Sequence, residues 1–242
     1  MSSKSSLATG ARYDVRPTSD SYALMDGGLN SVNCSLGHGR RYGDRPLDCS
    51  LKSMLYGCLL GDATIARSSQ TSSWRIVFRH GVKQEAYCRH KAERLTTYVT
   101  TQPRQVPNNG WGETSVVFAT VSSMVFDVIA DIVAPQGRKK VTDAWAKLLD
   151  LEAVAYWLMD DGSRADRALM FHTHGFSFEE VELLTNRLRC LGAASATVQR
   201  VRIRGTDRPV IRVASADASD LSHAVQPWIH ESMAYKLIQP KP

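Results

Sequence analysis

Cysteine is scarce in this chain and follows no pattern. There are five, at positions 34, 49, 58, 88 and 190, with no CxxC pair and no zinc-like spacing. An odd number without a secretory signal excludes a disulfide framework, and free thiols in a reducing, intracellular compartment are expected. Long apolar runs are also missing. Nothing approaches the roughly 18 residues that a membrane-spanning helix requires, so no membrane role is expected. Acidic excess is absent too: the formal charge is +6 and the pI about 9.1, spread as +1 over residues 1–50, +5 over 51–150 and zero over 151–242. A mildly basic balance suits a polyanionic partner without identifying one.

What is present is an ordinary globular composition, 43% apolar and 22% charged over 242 residues. That length allows one large domain or two smaller ones. Residues 1–50 are rich in Ser, Gly, Asn and Arg, with no sustained period. They read as an irregular arm or leader, and their acidic residues argue against a transit peptide. Regular patterning begins at Leu51. A helix to Gly61, strands at 64–68 and 74–80, a helix at 84–97, a strand at 114–121 and a helix at 122–133 are expected before Pro135. A linker around 136–150 leads to a helix at 151–161, a strand at 168–174 and a helix at 178–191. Strands at 196–204 and 210–214 and a helix at 217–229 close the chain. The halves match in detail: Phe78-Arg-His-Gly81 is paired with His172-Thr-His-Gly175, each closing a strand before a helix. Each half is therefore read as αββαββα, residues 51–135 and 151–242, in an α+β tandem duplication.

The centre of that duplication is Leu151–Arg164, an apolar helix former that stops at Gly162 with Asp160 and Asp161 in its last turn. The helix dipole favours cations at that end. Adjacent carboxylates beside bare carbonyls repel unless a cation joins them, and a hard divalent ion takes both oxygen types. Leu55–Ala63 repeats the pattern: an apolar helix, a small residue and then Asp62, 99 residues before Asp161. Gly57 and Gly61 would let the two helices pack closely, each burying its apolar face on the other.

With Leu55-Tyr-Gly-Cys-Leu-Leu-Gly-Asp-Ala63 and Ala155-Tyr-Trp-Leu-Met-Asp-Asp-Gly162, the chain resembles the LAGLIDADG homing endonucleases, in their single-chain branch with two motif copies. The resemblance spans about Leu51 to Leu237; the first copy departs from the name motif by ending Gly-Asp-Ala. It implies saddle-like antiparallel sheets joined at paired motif helices, and a monomer that cuts both strands of a long asymmetric duplex site. Asp62 and Asp161 are the implied metal-holding catalytic residues, with Asp160 and the Gly61 carbonyl as further ligands, and Mg²⁺, or Mn²⁺ in its place, as cofactor. Lysines after each half's last helix are implied to reach the same place. Lys236, in Met233-Ala-Tyr-Lys-Leu237, matches well, and Lys140, which follows Lys139, is taken as its counterpart.

Strand arginines complete the reading. Arg200, Arg202 and Arg204 alternate with Val201 and Ile203, and Arg75, Arg79 and His80 lie similarly in the first half. A ribbon so arranged fits a major groove. His172 and His174 share a strand face and, lacking cysteine or carboxylate partners, are read as groove contacts. Trp74, Trp145, Trp157 and Trp228 are assigned to packing. An RNA maturase acting on intron RNA is the alternative on the same fold; a non-catalytic DNA-binding regulator lacks support because both carboxylates are present. A nuclease of this kind is expected in a DNA-containing compartment, organelle or nucleus.

Overall fold

The structure, a computed structural model, describes residues 45–107 and 114–238. Most of the expected arm, residues 1–44, lies outside them. Both repeats belong to one compact unit, Arg40–Pro242, and share a single apolar core running from Leu47 to Leu237. Among the described residues no helix is long and apolar enough to cross a membrane.

The first repeat runs α1 (Cys49–Leu60), β1 (Ala63–Ala66), β2 (Arg75–Gly81), α2 (Glu85–Arg94), β3 (Arg104–Pro107), β4 (Thr114–Ala119) and α3 (Met124–Val133). A short helix, α4 (Asp143–Lys147), interrupts what the sequence suggests is a plain linker. The second repeat follows as α5 (Leu151–Asp161), β5 (Gly162–Ala165), β6 (Ala168–Phe171), α6 (Phe178–Cys190), β7 (Thr197–Ile203), β8 (Thr206–Val213) and α7 (Ser215–Val225). Each repeat is αββαββα, and the two sheets have the same antiparallel order, β1-β2-β4-β3 and β5-β6-β8-β7. Strands β3 and β5 have no pattern of their own to betray them. Both are four-residue edge strands, and β5, Gly-Ser-Arg-Ala, carries no large apolar residue at all. Terminal 3-10 turns at Gln226–Trp228 and Glu231–Lys236 close the chain.

Helices α1 and α5 form the seam. Each starts on an aspartate cap: Asp48 accepts the Leu51 N–H at 2.7 Å and Asp150 the Ala153 N–H at 2.8 Å, worth about 1 kcal/mol apiece. Ser53–Leu60 of α1 and Glu152–Asp160 of α5 are buried without a break, as befits helices covered on all sides. Their contact is backbone-close. A Cβ added at Gly57 would lie 2.8 Å from the carbonyl carbon of Ala153, and one at Gly61 would meet the Asp160 side chain, with Cγ at 3.2 Å. At the N-terminal end of α5, polar groups fasten the halves. Ser53 donates to Asp150 at 2.6 Å, Ser50 to Glu152 at 2.7 Å, and Arg94 to Glu152 and to the Tyr156 hydroxyl, both at 2.8 Å. Gly162 caps α5 in extended backbone, φ −91°. Its lack of a side chain answers crowding by Leu158, not the left-handed turn that often ends a helix.

Candidate active site at the helix seam

Because α1 and α5 lie side by side, their C-terminal ends bring Asp62 and Asp161 into one electrostatic field. Burial, then the charges of Asp62 and Asp160, push the Asp161 carboxyl up to about 7, against Lys139 and Lys236. Asp62 behaves oppositely. Burial opposes its ionisation, but a hydrogen bond from His80 and the charges of His80, Lys91 and Lys236 hold its carboxyl below the usual range. Two acids with pKa values pushed apart are a frequent mark of a working site.

Two lysines sit beneath these aspartates. Lys236 is buried and donates to the Met159 carbonyl at 2.5 Å and the Asp160 carbonyl at 3.0 Å. Lys139 donates to the Leu59 carbonyl at 2.9 Å and the Ala63 carbonyl at 3.1 Å. Burial lowers the pKa of both ammonium groups, with the three aspartates pulling the other way. The expected residue, Lys140, is exposed: Lys139 reaches the helix ends, and its neighbour in the chain points elsewhere. Among the described residues, each ammonium gives two of its three donors to backbone carbonyls in the last turn of a motif helix or just beyond it.

Asp160, expected to face a metal beside Asp161, turns into the first repeat instead. Its Oδ1 accepts from Lys91 at 2.5 Å and from the Tyr87 hydroxyl at 2.9 Å, with the Asp160 and Lys91 side chains both wholly buried. Ligand-type atoms of Asp62, His80 and Asp160 do gather within 4.8 Å. The Lys91 ammonium already stands among them, 3.2 Å from His80 Nε2, so this cluster holds a cation of its own. Sequence gave little warning of Lys91, which lies on a helix that reads as polar.

The sheet faces sort the arginines. Phe78 pairs with Phe118, and His80 with Val116; these, with Ile76, are buried against the helices. Arg75, Val77 and Arg79 alternate onto the opposite face, where Arg79, Val117 and Arg104 lie in register. Arg75 and Arg79 are thus available to a ligand. His80 is on the other side, 2% exposed with Nδ1 3.3 Å from Asp62, so its assignment to groove contact is corrected: strand alternation puts it inside.

The second sheet brings a larger correction. Phe171, Ile211 and Val198 are in register on the core side. Arg200 and Arg202 have the parity of Val198 and share that helix-side face, with the Arg200 guanidinium stacked 4.4 Å over Phe178 of α6. Arg204, φ 49°, sits in the hairpin turn. The opposite face carries Ser163, Met170, Arg212 and Thr197 in one row, then Gln199, and Val201 beside Arg208. His172 joins that face, its Nε2 2.8 Å from the Ser163 hydroxyl, and the His174 ring lies 5.5 Å from its own. Burial, followed by the charges of His174 and Lys236, lowers the His172 pKa. The repeat register is also shifted by one from the sequence pairing. Ala63 pairs with Phe78 and Gly162 with Phe171, so His172 stands where Arg79 does, and Thr173 where His80 does.

Known proteins share this plan. A probable intron-encoded endonuclease 1 of Wickerhamomyces canadensis is 26% identical over 195 residues, 76% of this chain and 82% of its own. The cytochrome b mRNA maturase bI2 of Debaryomyces hansenii is 26% identical over 207 residues, 80% and 76% respectively. The fold matches the homing endonuclease I-WcaI, solved bound to its DNA recognition sequence, with a TM-score of 0.72 at 24% identity, over 81% of this chain and 89% of that one. The family model described as LAGLIDADG DNA endonuclease family covers residues 52–221, so the chain is a member of the LAGLIDADG DNA endonuclease family.

Proposed function

We propose that this protein is a homing endonuclease, cutting both strands of a long asymmetric duplex DNA site and thereby moving its intron. The observation that carries this is the joined helix ends, where two aspartates, each with a partly or wholly buried lysine beneath it, lie between two sheets with arginine-bearing open faces. A divalent cation fits the donor set: with Asp161 pushed up to about 7 by burial and its acidic neighbours, an added positive charge favours both carboxylates being ionised together at neutral pH. Asp62 and Asp161 would hold Mg²⁺, with Mn²⁺ as substitute, and the ion supplies Lewis-acid activation of phosphate and water.

The protein's own groups do the rest. Lys139 and Lys236, tied to backbone carbonyls around the helix ends, each present an N–H to a phosphate oxygen or to attacking water. Arg75, Arg79, Arg104, Arg208 and Arg212, with Gln199, Thr197 and His172, face the duplex, arginines reading guanine edges or phosphates. Both halves lie on one chain, so the working species is a monomer on one target, in whichever DNA-containing compartment houses the intron.

Incubation with a randomised duplex library and Mg²⁺, followed by sequencing of the cut ends, tests this. Paired ends with short 3′ overhangs from one motif are expected, and EDTA should abolish them. If no cut ends form in Mg²⁺ or Mn²⁺, the assignment falls. Maturase relatives of similar identity make intron RNA the second ligand for the same protein; tight RNA binding without any cutting would favour that activity.

A further inference from the structure

A buried polar chain joins Asp62 to the opposite half. Asp160 of α5 receives Lys91 of α2 at 2.5 Å and Tyr87 at 2.9 Å. Lys91 is 3.2 Å from His80 Nε2, and His80 Nδ1 is 3.3 Å from Asp62 Oδ2 and equally 3.3 Å from Gln84 Oε1. An ammonium only donates, so Nε2 accepts and the ring proton sits on Nδ1, where Gln84 Oε1 accepts it and the Asp62 carboxylate lies equally near. The sequence from Asp160 through Lys91 and His80 therefore fixes a tautomer and sets a ring N–H beside the Asp62 carboxylate. Partners of this kind behind a metal-holding group orient it and tune it.

Among the described residues the second half has no such chain. Thr173 occupies the place of His80 and donates its hydroxyl to the Pro209 carbonyl at 2.9 Å. Helix α6 turns Val181, Leu184, Thr185 and Leu188 to the interior, with no charged side chain among them. The room for Asp160 exists because Gly61 opposes it.

We infer that His80, Lys91 and Asp160 are positioning residues for Asp62 alone, so that the two strand-cutting centres are unequal by construction. This rests on the nuclease reading, but its core can be tested without it. Long-range ¹H–¹⁵N spectra of the metal-free protein should show His80 in the Nδ1–H form. A neutral ring in the Nε2–H form would overturn the inference whatever the protein cuts.

Strand-resolved, single-turnover cleavage of the duplex recovered from the library supplies the second arm. His80→Ala and the charge-balanced pair Lys91→Met/Asp160→Ala should each slow one strand by about 10–100-fold, the range typical of such supporting partners. It should be the strand most slowed by Asp62→Asn, with the other strand within about threefold of wild type. His80→Asn, which keeps an N–H near the Nδ1 place, should recover part of the loss. Manganese binding to the complex with a phosphorothioate duplex, followed by electron paramagnetic resonance, should weaken at one site by a similar factor. Equal slowing of both strands, or none, would overturn the inference while leaving the nuclease reading intact; wild-type protein that cuts nothing would remove both.

Discussion

Gly57→Ala measures how close the seam must be. The added Cβ would stand 2.8 Å from the Ala153 carbonyl carbon and 3.0 Å from its Cα, nearer still to the oxygen. Carbon atoms in contact prefer about 3.5–4.0 Å, so α1 and α5 must part by about 1 Å. No side chain can swing aside, because the obstacle is backbone. A gap of that size forfeits up to about half the dispersion energy between facing groups, and overpacking of this type costs about 3 kcal/mol or more. Alanine's better helix propensity returns about 1 kcal/mol, leaving a net loss of about 2 kcal/mol. At about 2–4 °C per kcal/mol for a chain of this size, Tm should fall by about 4–8 °C. Cleavage should fall further, about 100-fold, since parting the helices by 1 Å displaces the aspartates at their ends. Scanning calorimetry and single-turnover cutting are the assays, with Gly81→Ala as control, where the new Cβ meets nothing within 4 Å. A Gly57→Ala protein that melts at or above the wild-type temperature would refute the close-seam argument.

The lysine assignment predicts that Lys139→Met slows cleavage at least about tenfold while Lys140→Met leaves it within about twofold, measured under single turnover; the reverse order would restore Lys140. For pH, a raised folded pKa means the protonated Asp161 is the favoured form, so its contribution to stability is full below about pH 4 and lost as pH rises through about 7. In EDTA, Asp161→Asn should therefore melt above wild type at pH 8, with the gap closing towards pH 4 and Mg²⁺ stabilising only the wild type; a constant gap in thermal scans would contradict the shift. The face assignment predicts that Arg79→Ala or Arg212→Ala alters base preference or reduces the salt slope of binding by about one unit, while Arg202→Ala does less of either on a single-substitution target panel.

The repeat was legible because its signals are local and doubled: an apolar helix ending in aspartate twice, with the same strands following. Positions whose role depends on a count from a buried anchor were not. The alternation of Arg200, Arg202 and Arg204 shows that a face exists, but only Val198 packing on the core shows which way it points. Lys139 and Lys140 are chemically alike and adjacent, so the choice lies in the backbone path after α3. Lys91 looks like any cation on a polar helix, and its burial follows from Asp160, 69 residues away. Strand β5 was hidden because an edge strand of four small or polar residues is defined by its partner.

Asp160 facing Gly61 has a consequence for how the halves could ever be traded. Two first repeats would meet glycine to glycine and leave Lys91 an enclosed cation without its counter-ion. Two second repeats would set Asp160 against Asp160, with no Lys91 to pair either side chain and no vacant Cβ to receive it. Though duplicated in plan, neither half can serve as its own mate. Severed at the α4 connection, they would make a lock and a key, and only the mixed pair would close.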